Sequence, residues 1–313
     1  MNRTPILGNL SSFGKLLFLL GVVLLMALVS ALAGLALGAL IFDVSLTQLA
    51  DFISNPDGDT AIGFLKIYQI INQVGIFIIP VLFYTYFVTN NTQSYLAIDR
   101  KPKLISVLVG SMVIFAVLPF NGYLDELNRS MEFPGFMSGI EEWMKSKELQ
   151  AKILTEAFLD GDTITGLLVN IIIVAVLPAI GEELLFRGVL IRLFDQMVKN
   201  IHIAVLISSV IFSAIHLQFY GFLPRLMLGM LLGYMFVFTR SLWVPIIVHF
   251  VNNAASAIVY FLYNNGTSKI PMEEFGASSN VVYVIGSLLI TLWLMTVIYQ
   301  KEDANRHSGR LRL

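Results

Sequence analysis

Three groups of polar residues stand inside otherwise apolar stretches of this sequence, and their side chains could carry out hydrolytic chemistry. They are Glu182-Glu183 with Arg187, then His216 four residues after Phe212, and finally His249 four residues before Asn253. Carboxylates and imidazoles are the side chains that most often move protons in catalysis. Because ionisable residues are costly in an apolar environment, groups of them in such stretches indicate a functional site.

The first group combines an ion pair with an unpaired carboxylate. Glu183 and Arg187 have the i,i+4 spacing of an intrahelical ion pair. Glu182 lies about 100° around the helix, so its partner must come from another element. A carboxylate in low-dielectric surroundings is a stronger base than one in water, which suits a general base. The alternative interpretation of the pair alone is a structural salt bridge.

The histidine groups follow helical spacing as well. His216 shares a helix face with Phe212, and His249 shares one with Asn253. A single histidine of this kind more often forms a hydrogen bond between helices than a catalytic contact. Two of them in the same chain as a pair of glutamates favour a shared site.

The composition defines the protein class. Of the 313 residues, 57% are hydrophobic and only 13% are charged, which predicts a polytopic membrane protein. A net charge of -1 without a basic stripe argues against a nucleic-acid partner. The sequence has no cysteine, which excludes disulfides, thiolate metal sites and cysteine nucleophiles.

The apolar stretches predict an all-α fold with about eight transmembrane helices. The predicted spans are 13–42, 62–88, 103–119, 164–195 (broken at Pro178 and Gly181), 201–219, 223–239, 242–263 and 280–299. Basic residues alternate between the two sides and place both termini in the cytoplasm: Arg3, Lys15, Arg100, Lys101, Lys103, Arg192, Lys199, Arg240, Lys301, Arg306, Arg310 and Arg312. An external segment, 140–158, has the pattern of an amphipathic interfacial helix.

Three regions are expected along the chain. They are N-terminal transmembrane helices with the external segment over 1–160, a catalytic helical core over 161–265, and a last span with a basic cytoplasmic tail over 266–313. Small-residue pairs at Gly34 and Gly38 and at Gly229 and Gly233 favour close helix packing within the chain, with contact between subunits as the alternative. The polar residues of the second span, Lys66, Asn72 and Gln73, are interpreted as structural.

The polar groups are also compatible in depth. Measured from the cytoplasmic turn at 195–200, Glu182 and His216 lie roughly 21 and 24 Å along their helices. From the next cytoplasmic turn, His249 and Asn253 lie roughly 12 and 18 Å along theirs, which tilting could compensate. The sequence therefore predicts one polar site within the membrane.

The order of these motifs resembles that of a known family. Glu-Glu-x-x-x-Arg, Phe-x-x-x-His and His-x-x-x-Asn on successive apolar helices are similar to the motifs of the CAAX-protease and bacteriocin-processing (CPBP, or Abi) family. This family includes the type II CAAX prenyl endopeptidases. The resemblance extends from about Leu167 to Tyr260, and the first 160 residues carry no diagnostic motif.

The resemblance implies an intramembrane endopeptidase that acts on a membrane-anchored substrate. Glu182 with His216 would hold and deprotonate the attacking water. His249 and Asn253 would donate hydrogen bonds to the oxyanion, and Glu183 with Arg187 would support Glu182. The preferred interpretation requires no cofactor, because the His-Glu-x-x-His arrangement is absent, and zinc is the alternative.

Several further expectations follow from this resemblance. The expected substrate is a membrane-embedded peptide or a protein, prenylated or not. The compact architecture favours a bacterial inner membrane as the location. Oligomeric state is left open. The competing functions are a transporter or proton relay with a polar cavity, and a catalytically silent relative acting as an immunity factor or scaffold.

Overall fold

The computed structural model describes residues 4–54, 56–131, 133–161 and 163–303. Regular structure in these residues is helical, and they contain no strand. The principal helices are α1 (Ser12–Phe42), α2 (Leu46–Ser54), α3 (Gly58–Val88), α4 (Thr92–Leu96), α5 (Leu104–Ala116), α6 (Leu118–Arg129), α7 (Ser138–Leu159), α8 (Ile164–Val198), α9 (Ile201–Ala214), α10 (Phe222–Thr239), α11 (Trp243–Asn264) and α12 (Val281–Asp303). The all-α prediction is confirmed.

Six helical segments of the described chain are long and apolar enough to cross a membrane. They are α1, α3, α8, α11, α10 with the short turn before it, and α12, and the bent pair of α5 and α6 raises the number to seven. Outward-facing side chains on α1 are largely apolar and exposed, including Leu24, Leu28 and Leu32. Such a surface is stable in lipid, and the chain is a multi-pass integral membrane protein.

The predicted number of about eight spans is higher than the structure supports. The span expected at 201–219 is α9, a helix of 14 residues that ends at Ala214. Leu217 adopts a left-handed backbone conformation, with φ of 54°, so the helix cannot continue through it. His216 therefore lies in a turn between α9 and α10.

The break expected in the fourth span is also absent. α8 continues from Ile164 to Val198, with π-helical turns on either side of Leu177–Glu183. Pro178 has no N–H to donate to the carbonyl of Val174, four residues earlier. The amide of Asn253 donates to that carbonyl instead, at 3.1 Å. A side chain from α11 thus compensates for the proline, and the helix is not interrupted.

A true bend occurs between α5 and α6. The two helices differ in direction by 45°, and Pro119 lies in the first turn of α6. Proline is compatible with the first turn of a new helix, but it disfavours the continuation of the preceding helix through this position. The expected amphipathic segment 140–158 lies within α7, and its interfacial location stays a prediction.

Some topological expectations concern residues outside the described ranges. Arg3, Arg306, Arg310 and Arg312 are among these residues. The cytoplasmic placement of both termini and the three-region division remain predictions from the sequence.

Glycines bring α1 and α3 into close contact. A Cβ atom added at Gly38 would lie 2.4 Å from Cε2 of Phe64, and one added at Gly34 would lie 2.7 Å from the Tyr68 ring. In the same way, Gly229 and Gly233 of α10 face α9. Both small-residue pairs therefore serve packing within the chain, as expected.

We expect Gly38→Ala to lower the free energy of unfolding by about 1–3 kcal/mol, because the added methyl group must displace the buried Phe64 ring. Gly21→Ala in the same helix is the matched control, since no atom lies within 4 Å of its added Cβ. Thermal unfolding of the two purified variants in detergent measures the difference. Equal stability of both would show that α1 and α3 do not pack this closely.

Candidate active site

The polar site is built mainly by α8, with contributions from α3, α9, α10 and α11. Glu182 and Glu183 end the segment Leu177–Glu183, directly before the π-helical turn Leu184–Leu190. Two more π-helical turns, Val74–Ile78 in α3 and Ile172–Val176 in α8, lie beside the same region. Such turns rotate the side chains that follow around the helix axis, and they are frequent at functional sites.

Glu183, Arg187 and His249 form a buried charged cluster. Arg187 Nη1 donates to Glu183 Oε1 at 2.7 Å, and His249 Nδ1 lies 2.8 Å from the same oxygen. Arg187 Nη2 donates to the backbone carbonyl of Gly229 at 2.9 Å. The guanidinium carbon also stands 4.7 Å from the centre of the Phe212 ring. The intrahelical ion pair expected from the sequence is present, and it is fixed by three neighbouring helices.

Glu182 has looser surroundings than Glu183. Its Oε1 accepts from Gln73 Nε2 at 3.5 Å, and its Oε2 lies 3.9 Å from His249 Nε2. The Glu182 side chain retains 8% of its exposure, whereas the Glu183 side chain has none. Glu182 is therefore the carboxylate that a small reactant can reach, and Glu183 is enclosed by its partners.

His216 lies in the turn that follows α9, next to the Phe212 ring. Its Nδ1 lies 2.8 Å from the carbonyl oxygen of Phe212. The Phe212 ring contacts both imidazoles edge to face, with centroids 5.2 Å from His216 and 6.0 Å from His249. Because Nδ1 donates to that carbonyl, Nε2 is the nitrogen of neutral His216 left to accept a proton.

The expected pairing of Glu182 with His216 is indirect. No hydrogen bond joins the two side chains among the described residues. His249 is the imidazole that contacts both glutamates. The sequence analysis placed His249 at a shallower depth than the glutamates. In the structure, α11 lies against the Leu177–Glu183 segment of α8, and this packing brings His249 next to both carboxylates.

Asn253 shares a helix face with His249, as predicted, and both side chains face α8. One N–H of Asn253 donates to Val174, and its Oδ1 accepts from Asn252 Nδ2 at 2.9 Å. Only the second N–H of the Asn253 amide is left to donate to an oxyanion. Asn253 thus has a structural task that the spacing did not reveal.

A zinc centre does not fit the positions of these side chains. Among the described residues, no group of three His, Asp or Glu side chains is placed to hold a metal ion. Glu183 and Nδ1 of His249 are already engaged with each other. We therefore assign no reaction step to a metal.

Gln73 contacts the site, although the sequence analysis interpreted it as structural. It is buried in α3 and contacts Glu182, although the two are 109 positions apart. Its polarity within an apolar span was the available signal. The sequence could not show that this side chain faces α8, because the facing depends on the packing of α3.

The segment that carries most of this site is similar to a known protein family. Residues 164–255 match the family model "Type II CAAX prenyl endopeptidase Rce1-like". The matched segment contains all six site residues expected from the motifs. Gln73 lies outside it.

Two relatives from Bacillus subtilis (strain 168) match part of the chain. "Uncharacterized protein YpbD" is 35% identical over 92 residues, which are 28% of this chain and 44% of the relative. "Putative membrane peptidase YdiL" is 31% identical over 106 residues, which are 34% of this chain and 42% of the relative. The similarity thus spans less than half of each relative. No solved structure matches the chain.

Proposed function

We propose that this protein is an intramembrane endopeptidase that hydrolyses a peptide bond in a membrane-anchored substrate. The observation that carries the proposal is the difference between the two glutamates. Glu183 is fully buried and bound to Arg187 and His249, whereas Glu182 keeps a small accessible surface beside an imidazole. The match to the prenyl endopeptidase family and the name of one relative support the same reaction class.

In the proposed reaction, Glu182 is the general base. Its carboxylate takes a proton from water, and the water oxygen bonds to the carbonyl carbon of the substrate. The resulting tetrahedral intermediate carries a negative oxygen. When the C–N bond breaks, protonated Glu182 returns its proton to the leaving nitrogen. His216, which lies next to the Phe212 ring, is the proposed second group of the water site and acts through Nε2.

His249 is the main candidate for stabilising the oxyanion. In its doubly protonated form, Nδ1 donates to Glu183 and Nε2 can donate to the developing negative oxygen. The second N–H of Asn253 can add a further donor. Glu183 orients His249 through its contact with Nδ1, and Arg187 in turn holds Glu183 in place.

The proposed substrate is a peptide or protein embedded in or anchored to the bilayer, including lipidated and prenylated chains. A bacterial inner membrane is the proposed location, and no cofactor is required. The competing proposals are a transporter or proton relay, and an inactive immunity factor or scaffold.

Purified protein in sealed liposomes with a membrane-anchored peptide separates these alternatives. We expect the wild type to cleave the peptide, and His249→Ala to cleave about 10²–10³-fold more slowly because an oxyanion donor is lost. Proton flux, measured in the same vesicles, should stay at the level of empty liposomes. Flux that depends on His249 without cleavage would support the relay instead.

A further inference from the structure

We infer that Gln73, in the N-terminal half of the chain, is a positioning residue that orients Glu182 for catalysis. This inference rests on the proposed function, because it assigns Gln73 a part in the same reaction. Gln73 lies outside the segment that matches the family model, so the motif region alone would not contain the complete site.

The first argument is the hydrogen bonding of Glu182. Among the described residues, the amide of Gln73 is the only hydrogen-bond donor to this carboxylate. The nearby cation does not pair with it, because Arg187 is engaged by Glu183 and the carbonyl of Gly229. A buried carboxylate needs donors to remain charged and oriented.

The second argument is the burial of Gln73 itself. Its side chain lies at the end of the α-helical part of α3, directly before the π-helical turn Val74–Ile78. Only 7% of the residue is exposed. Burying an amide is unfavourable unless it finds a partner, and Glu182 is the partner that its Nε2 faces.

The third argument is that both sides of α3 are fixed at this level. A Cβ atom added at Gly181 would lie 2.8 Å from Cβ of Phe77, so α8 and α3 touch beside Glu182. On the opposite side, a Cβ atom added at Gly75 would lie 2.3 Å from Cβ of Ser30 in α1. α3 is thus held between α1 and α8, and this packing keeps Gln73 next to the carboxylate.

The geometry assigns different tasks to the two carboxylate oxygens. Oε1 of Glu182 faces Gln73, at 3.5 Å, and Oε2 faces His249, at 3.9 Å. Catalytic hydrogen bonds are often long before substrate binds and shorten in the reactive complex. Gln73 therefore fixes the rotation of the carboxyl group and directs Oε2 toward the reacting water.

The adjacent residue offers a matched control. The amide of Asn72 accepts from Ser30 at 3.2 Å and donates to the backbone of Tyr68 at 2.9 Å. Neither contact involves Glu182. Asn72→Met and Gln73→Met remove the same chemical group from neighbouring positions of one helix.

The test compares cleavage kinetics of these variants in liposomes with a membrane-anchored peptide. We expect Gln73→Met to lower kcat about tenfold with KM unchanged, because a hydrogen bond to a charged group is lost. Asn72→Met should retain the wild-type kcat. Gln73→Glu should regain activity only on the acidic side of the wild-type optimum, since a carboxyl group donates a hydrogen bond only when protonated. A purely structural role would not produce that pH profile.

A second measurement does not depend on catalysis. In a double-mutant cycle on the melting temperature, Gln73→Met and Glu182→Met should be non-additive by about 2 °C, because each single change removes the one contact that the two side chains share. Additive shifts, or a wild-type kcat in Gln73→Met, would overturn the inference. Cleavage that persists in Glu182→Gln would instead refute Glu182 as the general base, and His249-dependent proton flux without any cleavage would contradict the proposed endopeptidase function. The failures are therefore distinguishable.

Discussion

Glu182→Gln is expected to lower kcat for cleavage of a membrane-anchored peptide by about 10²–10⁴-fold, the range for loss of a general base. The amide keeps the shape of the side chain but cannot take a proton from water. KM should change little, because the base acts on water and the substrate is bound by other groups. Steady-state kinetics in liposomes provide the measurement.

The folding of this variant should be nearly unaffected. Glu182 makes long contacts of 3.5 and 3.9 Å and is the more accessible of the two glutamates. Glu183→Gln serves as the contrast: it should lower the melting temperature, because Arg187 and His249 both use Glu183 Oε1. If Glu183→Gln alone abolished cleavage while remaining stable, the roles of the two glutamates would be reversed.

Arg187→Met is expected to lower the free energy of unfolding by about 3–5 kcal/mol, the cost of removing one partner of a buried ion pair. Both contacts of Glu183 are made through Oε1, and its Oε2 has no hydrogen-bond partner among the described residues. Without Arg187, the enclosed carboxylate keeps only His249. Equilibrium unfolding in detergent measures the loss.

The double variant Glu183→Leu with Arg187→Met tests the origin of that loss. Replacing a whole buried ion pair by apolar residues is often neutral or stabilising. We therefore expect the double variant to recover much of the stability lost in Arg187→Met, although not the activity, because His249 loses its orienting carboxylate. A double variant as unstable as Arg187→Met alone would show that the contact with Gly229 dominates instead.

The local parts of the site were predictable from sequence spacing. The Glu183–Arg187 pair follows from the i,i+4 rule. The shared face of His249 and Asn253 follows from the same periodicity, and both side chains face α8. Hydrophobicity alone located the long apolar helices, because each must cover a bilayer.

Contacts between distant parts of the chain were not predictable in this way. The donor to Glu182 comes from Gln73 in another span, and this contact depends on two glycine-mediated helix approaches. The continuity of α8 through Pro178 depends on an amide from α11. The early end of α9 depends on the backbone of Leu217, which hydropathy does not register. These features arise from tertiary packing and not from local pattern.

The central claim is that Glu182, and not a bound metal ion, supplies the base for peptide hydrolysis. The most direct test measures the cleavage rate and the zinc content of the same purified preparation, before and after chelation. We expect an undiminished rate in wild-type protein with substoichiometric zinc and a rate lower by about 10²–10⁴-fold in Glu182→Gln. Stoichiometric zinc whose removal abolishes cleavage would contradict the claim.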